Sequence, residues 1–214
     1  GQTELQLNSS HVFSITSWWK VSLAADIQWD KLASTNYSAS RITAISAVST
    51  SFNLNRLSLN AAAEYSGYFD KGRKSRHAIS PSLDFRVRVI DGLDIVGFAR
   101  RAYRVPMFNE LYYVGYGNPD LKPEDAWLTD VGVDFHRHIS RTWNLKAKVD
   151  GFYNILSNKI TSAPTAEDPN IWLPYNIGRV RSIGLDLVTG AEFTHGDWKG
   201  AMDLRYSYQS AADR

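Results

Sequence analysis

Four separate segments alternate in character for nine to eleven positions, and each alternation begins and ends on an aromatic residue. One reads Trp19, Val21, Leu23, Ala25, Ile27, Trp29, and a second Trp127, Thr129, Val131, Val133, Phe135. A third reads Trp143, Leu145, Ala147, Val149, Gly151, Tyr153, and a fourth Trp198, Gly200, Met202, Leu204, Tyr206, Tyr208. The intervening positions are polar or small: Ser22, Asp26 and Gln28, then Asn144, Lys146, Lys148 and Asp150, then Lys199, Asp203, Arg205, Ser207 and Gln209. A period of two puts one face of a strand in an apolar medium and the other in a wet one. At a rise of roughly 3.3 Å per residue, about ten residues tilted near 45° cover roughly 23 Å along the normal, close to the ~25 Å apolar band of an outer-membrane barrel with its two aromatic girdles. The pattern predicts an all-β chain: part of an antiparallel, up-and-down transmembrane β-barrel.

Composition is compatible with that reading and narrows little else. Mean hydropathy is -0.32, and no apolar run reaches the ~18 residues of a transmembrane helix. A barrel strand is only half apolar, so it escapes that test. The chain has no cysteine, and its net charge of +2 comes without a basic block. Neither feature points to nucleic acid as a partner. The opening GQTELQLNSS has no charged n-region and no apolar h-region, so no signal peptide is expected in it. The chain is expected to be cut from a longer secreted precursor.

Nine strand candidates emerge, at roughly 18–31, 39–52, 56–69, 76–90, 92–104, 124–137, 141–156, 179–194 and 197–210. Pro81 interrupts the fourth and demands a bulge or an unpaired position. Short links at 53–55, 91–92, 136–140 and 195–197 alternate with longer ones at 31–38, 70–75, 105–123 and 157–178. Short turns on one rim and long loops on the other are the barrel pattern, with the long ones extracellular. No fixed-period repeat is visible, which counts against propellers and solenoids.

Between the fifth and sixth candidates the chain supplies Arg104, Pro106, Glu110, Leu111 and Tyr112, then Gly117, Asn118, Pro119, Leu121, Lys122, Pro123 and Glu124. This resembles the Arg-x-Pro-x-x-x-Glu-Leu-Tyr and Gly-Asn-Pro-x-Leu-Lys-Pro-Glu segments of the TonB-dependent outer-membrane receptors. Tyr153-Asn154, Lys159-Ile160, Asn176-Ile177-Gly178-Arg179-Val180 and Ile183-Gly184-Leu185-Asp186 follow in the family's order. Aspartate at 186 departs from the usual glutamate. Physically, Asn118 and Lys122 precede prolines and so avoid helix, and Pro119 and Pro123 stiffen the link as it re-enters the sheet. Arg104 and Glu124 stand at the two ends of the link, in position to pair. Two roles are open to it: fixing register between strands, which is the plainer reading for the prolines and Glu124, and capping a substrate.

The resemblance implies a barrel of about 22 strands around a plug, of which residues 1–214 would be a middle-to-late segment, about nine strands, without plug domain, TonB box or last strands. It implies active uptake of a scarce, bulky nutrient across the outer membrane of a Gram-negative bacterium, energised through TonB. Loop lengths are most similar to cobalamin and siderophore receptors, with haem-like ligands in the same class. A carbohydrate importer of the same family is the alternative, and a glycan-binding or adhesin module a more remote one. The implied partners are the TonB complex, outer-membrane lipid, the small-molecule nutrient and a surface lipoprotein. No cofactor is implied. With two open sheet edges, at 18–31 and 197–210, the isolated chain is expected to self-associate.

Catalytic and metal-binding constellations are not evident. His136 and His138 fall in a predicted turn, and His11, His77 and His195 lack ligand-spaced neighbours. There is no Gly-x-Ser-x-Gly, P-loop or His-Glu-x-x-His. Asp26, Asp84, Asp130, Asp134, Asp150 and Asp203 face the lumen by alternation, with Arg86, Arg88, Lys146, Lys148 and Arg205 as expected partners. No enzyme is expected. The candidate ligand-binding residues are the loop aromatics Tyr112, Tyr113, Tyr116, Trp172 and Tyr175, whose flat rings and polar tips suit conjugated, polar-edged ligands. A rim girdle would equally account for Tyr112 or Tyr175.

Overall fold

A computed structural model describes residues 1–35 and 37–213. Ten strands form one antiparallel sheet in sequence order. They are β1 (Gln2–Ser14), β2 (Trp19–Ala33), β3 (Ser38–Asn53), β4 (Leu57–Asp70), β5 (Arg76–Ile90), β6 (Leu93–Arg104), β7 (Glu124–His138), β8 (Trp143–Pro164), β9 (Trp172–His195) and β10 (Trp198–Asp213). A single short helix, α1 (Phe108–Tyr112), interrupts the β6–β7 link. Each strand pairs with the next, and β1 and β10 have one neighbour each. The meander is therefore an open arc of a barrel wall.

Two expectations need correction. The described residues form ten strands rather than nine, because β1 precedes the first candidate. Opposite the apolar stripe of β2, β1 places Leu5, Leu7, Ser9, His11 and Phe13, and the polar Ser9 and His11 break the alternation that would have revealed it. The open edge at that end is accordingly Gln2–Ser14, not residues 18–31. The second correction is the 157–178 link. Ser157 pairs with Arg179, and the ladder continues to Pro164 opposite Trp172, leaving a turn of residues 165–171. This hairpin rises well beyond its neighbours.

Cross-strand partners share a face, so the registers fix which side each residue lines. One outer row runs Gly97, Val131, Gly151, Leu185, Tyr208 across five strands. Leu23, Ile27, Val131, Val149 and Leu204 are all exposed on this face, Val131 at 58%; Val21, on the same row positions, is half-buried. Among the described residues the buried apolar set is Ala78, Val105, Leu111 and Leu121. Three of those four belong to the β6–β7 link, so no second sheet covers the valines and a sandwich is excluded.

The concave face carries the charges. Arg86 contacts Asp94 at 2.6 Å and Asp134 at 3.4 Å, Lys146 meets Asp203 at 3.0 Å, and Lys148 meets Asp150 at 3.0 Å. Gly132 makes room for this lining: a Cβ there would lie 2.3 Å from Asp150 Oδ1. Aromatics mark both ends of the outer apolar band. Near the short turns Trp19 and Phe52 stack at 5.9 Å and Trp143 packs tilted against Phe193 at 5.0 Å, while Trp29, Tyr65, Trp127 and Tyr153 lie toward the long links. Pro81 pairs with Ala63 on β4, and the β5–β6 ladder starts only at Ser82. Its missing N–H thus falls where β6 has left the ladder, and Arg101 donates to the freed Ile79 carbonyl at 2.7 Å.

Candidate functional site

The 105–123 link is held by a knot of charge at its two ends. Arg104, the last residue of β6, donates from Nε to Glu124 Oε2 at 2.6 Å and from Nη1 to Glu110 at 3.1 Å. Glu124, the first residue of β7, accepts from the Ile160 backbone N–H at 2.6 Å through its other oxygen. One carboxylate thus ties β6, β7 and β8 together. Glu110 also accepts from the Met107 N–H at 2.7 Å, the glutamate half of a capping box, which closes the first turn of α1. Glu124 lies three residues beyond Trp127, outside the apolar band. Burial pushes its carboxyl up, but the Arg104 hydrogen bond, the Ile160 N–H and the nearby cations outweigh that and leave it below the ordinary 4.5.

From these anchors the link folds over the concave side of the rim. Arg41 of β3 forms a buried pair with Asp70 of β4, at 2.5 and 3.0 Å, and donates to the Pro106 carbonyl at 3.0 Å. Its guanidinium lies 5.0 Å from the Phe108 ring centroid. Tyr37 donates to the Asn109 side chain, and Arg73 to the Pro119 carbonyl. At the opposite side, Asn118 donates to the Pro174 carbonyl at 2.9 Å. Asn176 brackets Lys122, accepting from its N–H at 2.7 Å and donating to its carbonyl at 2.9 Å. The link therefore spans from β3–β5 to the raised β8–β9 hairpin.

The residues of the recognised motif converge on this architecture. Val105, Pro106, Leu111, Leu121 and Pro174 are buried, with Leu111 at 1%. Gly117 sits against the α1 end, where a Cβ would come 2.6 Å from the backbone nitrogens of both Tyr112 and Tyr113. Only glycine closes that turn. Arg104, Pro106, Glu110, Asn118, Pro119, Lys122 and Glu124 all have a structural partner or buried place here, and Pro123 carries the chain from Lys122 to Glu124.

The loop aromatics do not form one cluster. Tyr112 packs beside Tyr37, ring centroids 6.3 Å apart, and Phe108. Tyr116 shares a short hydrogen bond with Ser162 of β8. Tyr113, Trp172 and Tyr175 are exposed, and in the β8–β9 ladder Trp172 and Tyr175 occupy opposite parities. Tyr112, Tyr116 and Trp172 are thus the members placed toward the concave side, and Tyr175 falls on the outer one. The sequence reading missed Arg41, Asp70, Tyr37 and Arg73. Their only signal was an inward arginine at the start of one strand and an inward aspartate at the end of the next. Among the described residues, no group of three or more His, Cys, Asp or Glu side chains is arranged to hold a metal.

Comparison with known proteins places this architecture. The chain matches the family described as "TonB dependent receptor-like, beta-barrel" over residues 2–214. It is 28% identical over 126 residues to the vitamin B12 transporter BtuB of Photobacterium profundum, covering 57% of this chain and 19% of the relative. It is 24% identical over 106 residues to BtuB of Vibrio vulnificus, covering 50% of this chain and 16% of that one. The chain therefore spans about a fifth or less of those relatives. Among solved structures, the siderophore receptor PirA from Pseudomonas aeruginosa superposes with TM-score 0.73 at 18% identity, over 97% of this chain and 40% of that one. The FrpB iron transporter from Neisseria meningitidis gives 0.72 at 14%, over 99% and 36%.

Proposed function

Because the chain belongs to the TonB-dependent receptor β-barrel family, we propose that it is a wall segment of an outer-membrane receptor for active uptake of a scarce, bulky nutrient. The nutrient is cobalamin or a ferric siderophore or haem-like chelate, and the energy comes through TonB. The observation that carries this reading is the family match across nearly the whole chain, joined to a motif loop that folds over the concave rim. Proteins of this family are transport receptors and not enzymes.

In this reading the concave ion pairs line the wall that faces a plug, a domain supplied by another part of the protein. The 105–123 link forms part of the extracellular mouth, where Tyr112, Tyr116 and Trp172 present rings with polar tips toward an incoming ligand. The relatives named for vitamin B12 and for a siderophore support the two nutrient classes. The TonB complex engages through a part of the protein outside this chain.

The test is uptake by cells carrying the full-length receptor as their only such system. Labelled cyanocobalamin, a ferric siderophore or haem should accumulate in tonB-positive cells and stop at surface binding when TonB is absent. Accumulation of an oligosaccharide instead would transfer the protein to the carbohydrate-importing branch. TonB-independent accumulation of any of them would contradict the reading.

A further inference from the structure

The outer face of β9 changes character in one step. Reading toward the long links, its outward positions are Leu187, Leu185 and Ile183, then Arg181 and Arg179. Arg181 lies between Ile155 of β8 and Ala212 of β10, and Arg179 lies beside Ser157. Arg179, beside the short Ser157, is exposed, and Arg181, between Ile155 and Ala212, is half-buried. The nearest outward carboxylate is Asp125, across Ser157 on β7. It is already taken by Arg101, which donates to both of its oxygens at 2.8 and 2.6 Å. With that pair neutralised, the patch keeps Arg179 and Arg181, with Lys159 one outward position further along β8, and no outward counter-charge among the described residues.

Position decides what such cations meet. Tyr153 pairs with Ile183, and Trp127 with Ile155, so Arg181 lies one outward position beyond Tyr153 and level with Trp127, and Arg179 one position beyond both, at the aromatic edge of the band. A cation at the middle of the hydrocarbon is costly, whereas one at its edge reaches head-group level with its stem still on apolar surface. Two such positions along a strand lie roughly 7 Å apart, a span that lets both guanidiniums reach one phosphate or two adjoining ones. Arginine's planar fork suits phosphate oxygens in particular.

We propose that Arg179 and Arg181 form an outward-facing site for the phosphate-bearing headgroup of an anionic membrane lipid, whose acyl chains lie along the apolar stripe of β8–β10. The site depends on the membrane placement of the barrel and is independent of which nutrient is carried. Charge complementarity commits it to an anionic lipid over a zwitterionic one.

Native mass spectrometry of the full-length receptor, released from nonionic detergent after titration with phosphatidylglycerol or phosphatidylcholine, tests this. The wild-type protein should retain phosphatidylglycerol preferentially. R179Q and R181Q should each weaken that retention about fivefold, and the double variant about thirtyfold, with phosphatidylcholine unchanged. R181K should keep the preference. R141Q, in a short turn at the other rim, should behave as wild type. Unshifted heat-dependent gel mobility would show that every variant still forms its barrel. Equal retention of the two lipids by the wild type, or undiminished phosphatidylglycerol retention by the double variant, would overturn the proposal.

Discussion

Arg104 and Glu124 stand twenty residues apart in sequence and 2.6 Å apart in space, closing the base of the 105–123 link as the last residue of one strand and the first of the next. The two are cross-strand partners in the β6–β7 ladder. Backbone register and side-chain charge thus fix the same closure. A link of this length would otherwise be free to splay, and pinning its ends lets the tethers at Arg41, Arg73 and Asn176 fold it inward.

Glu124→Gln in the full-length receptor should loosen the link while leaving the barrel intact. Arg104 would keep Glu110 but lose a charge-assisted bond, and the Ile160 N–H would lose its carboxylate. A cost of about 1–3 kcal/mol is expected for the local closure. Limited proteolysis should then cut within 105–123, with heat-dependent gel mobility unchanged. Wild-type resistance in the variant would remove Glu124 from this role.

Acid should act through the same group. Its pKa is lowered on folding, so the stability it contributes is present in full above the ordinary glutamate value of 4.5 and is lost as pH falls through the lower, folded value. Pepsin digestion across that range should show 105–123 becoming cleavable only at the acid end. Cleavage that is equal at every pH would contradict the assignment.

Gly117→Ala should be worse than its one added methyl suggests. The Cβ would enter the backbone at Tyr112 and Tyr113, where nothing flexible can yield. The turn must open, at about 1–3 kcal/mol as in other overpacked sites. Hydrogen exchange of the Asn118 and Tyr113 amides, both bonded within this turn, should accelerate. Gly115→Ala meets no atom, though its positive φ adds backbone strain, and should leave the Asn118 amide less affected.

Removed from the rest of the protein, residues 1–214 should not remain monomeric. β1 and β10 each present an unpaired edge, which templates pairing with another copy, and the outer face exposes more apolar surface than a soluble monomer tolerates. Light scattering without detergent should report oligomers or aggregates. A monodisperse monomer would refute this.

Much of the wall was legible because lipid and water impose opposite demands on alternate residues. Trp19 to Trp29 and Trp143 to Tyr153 show it without ambiguity. β1 was not legible, since Ser9 and His11 occupy outward positions near an edge. The β8–β9 extension was hidden for a different reason. Beyond the membrane both faces meet water or loops, so Thr161 to Pro164 and Trp172 to Asn176 carry no period of two. The Arg104–Glu124 closure could be anticipated because both ends of one link carry opposite charges. The Arg41–Asp70 clamp carried only its inward arginine and aspartate as a signal, and its role comes from a third segment, at Pro106, that strand pattern does not bring to it. The aromatic cluster read from Tyr112 to Tyr175 failed as a single group because parity along β9 separates Trp172 from Tyr175.

Which face of the sheet meets lipid is the claim on which the account rests, and because residues 1–214 contain no cysteine, a label placed in this wall competes with no thiol of the wall itself. Single cysteines at Leu23, Val131, Val149 and Leu204, and at Asp26, Lys146, Asp150 and Arg205, would be spin-labelled in the full-length receptor reconstituted in bilayers. The first four should relax with lipid-soluble oxygen and be shielded from a water-soluble nickel chelate, while the second four should be shielded from oxygen. Val131 and Val149 labels shielded from both, as in a packed protein core, would contradict the barrel wall described here.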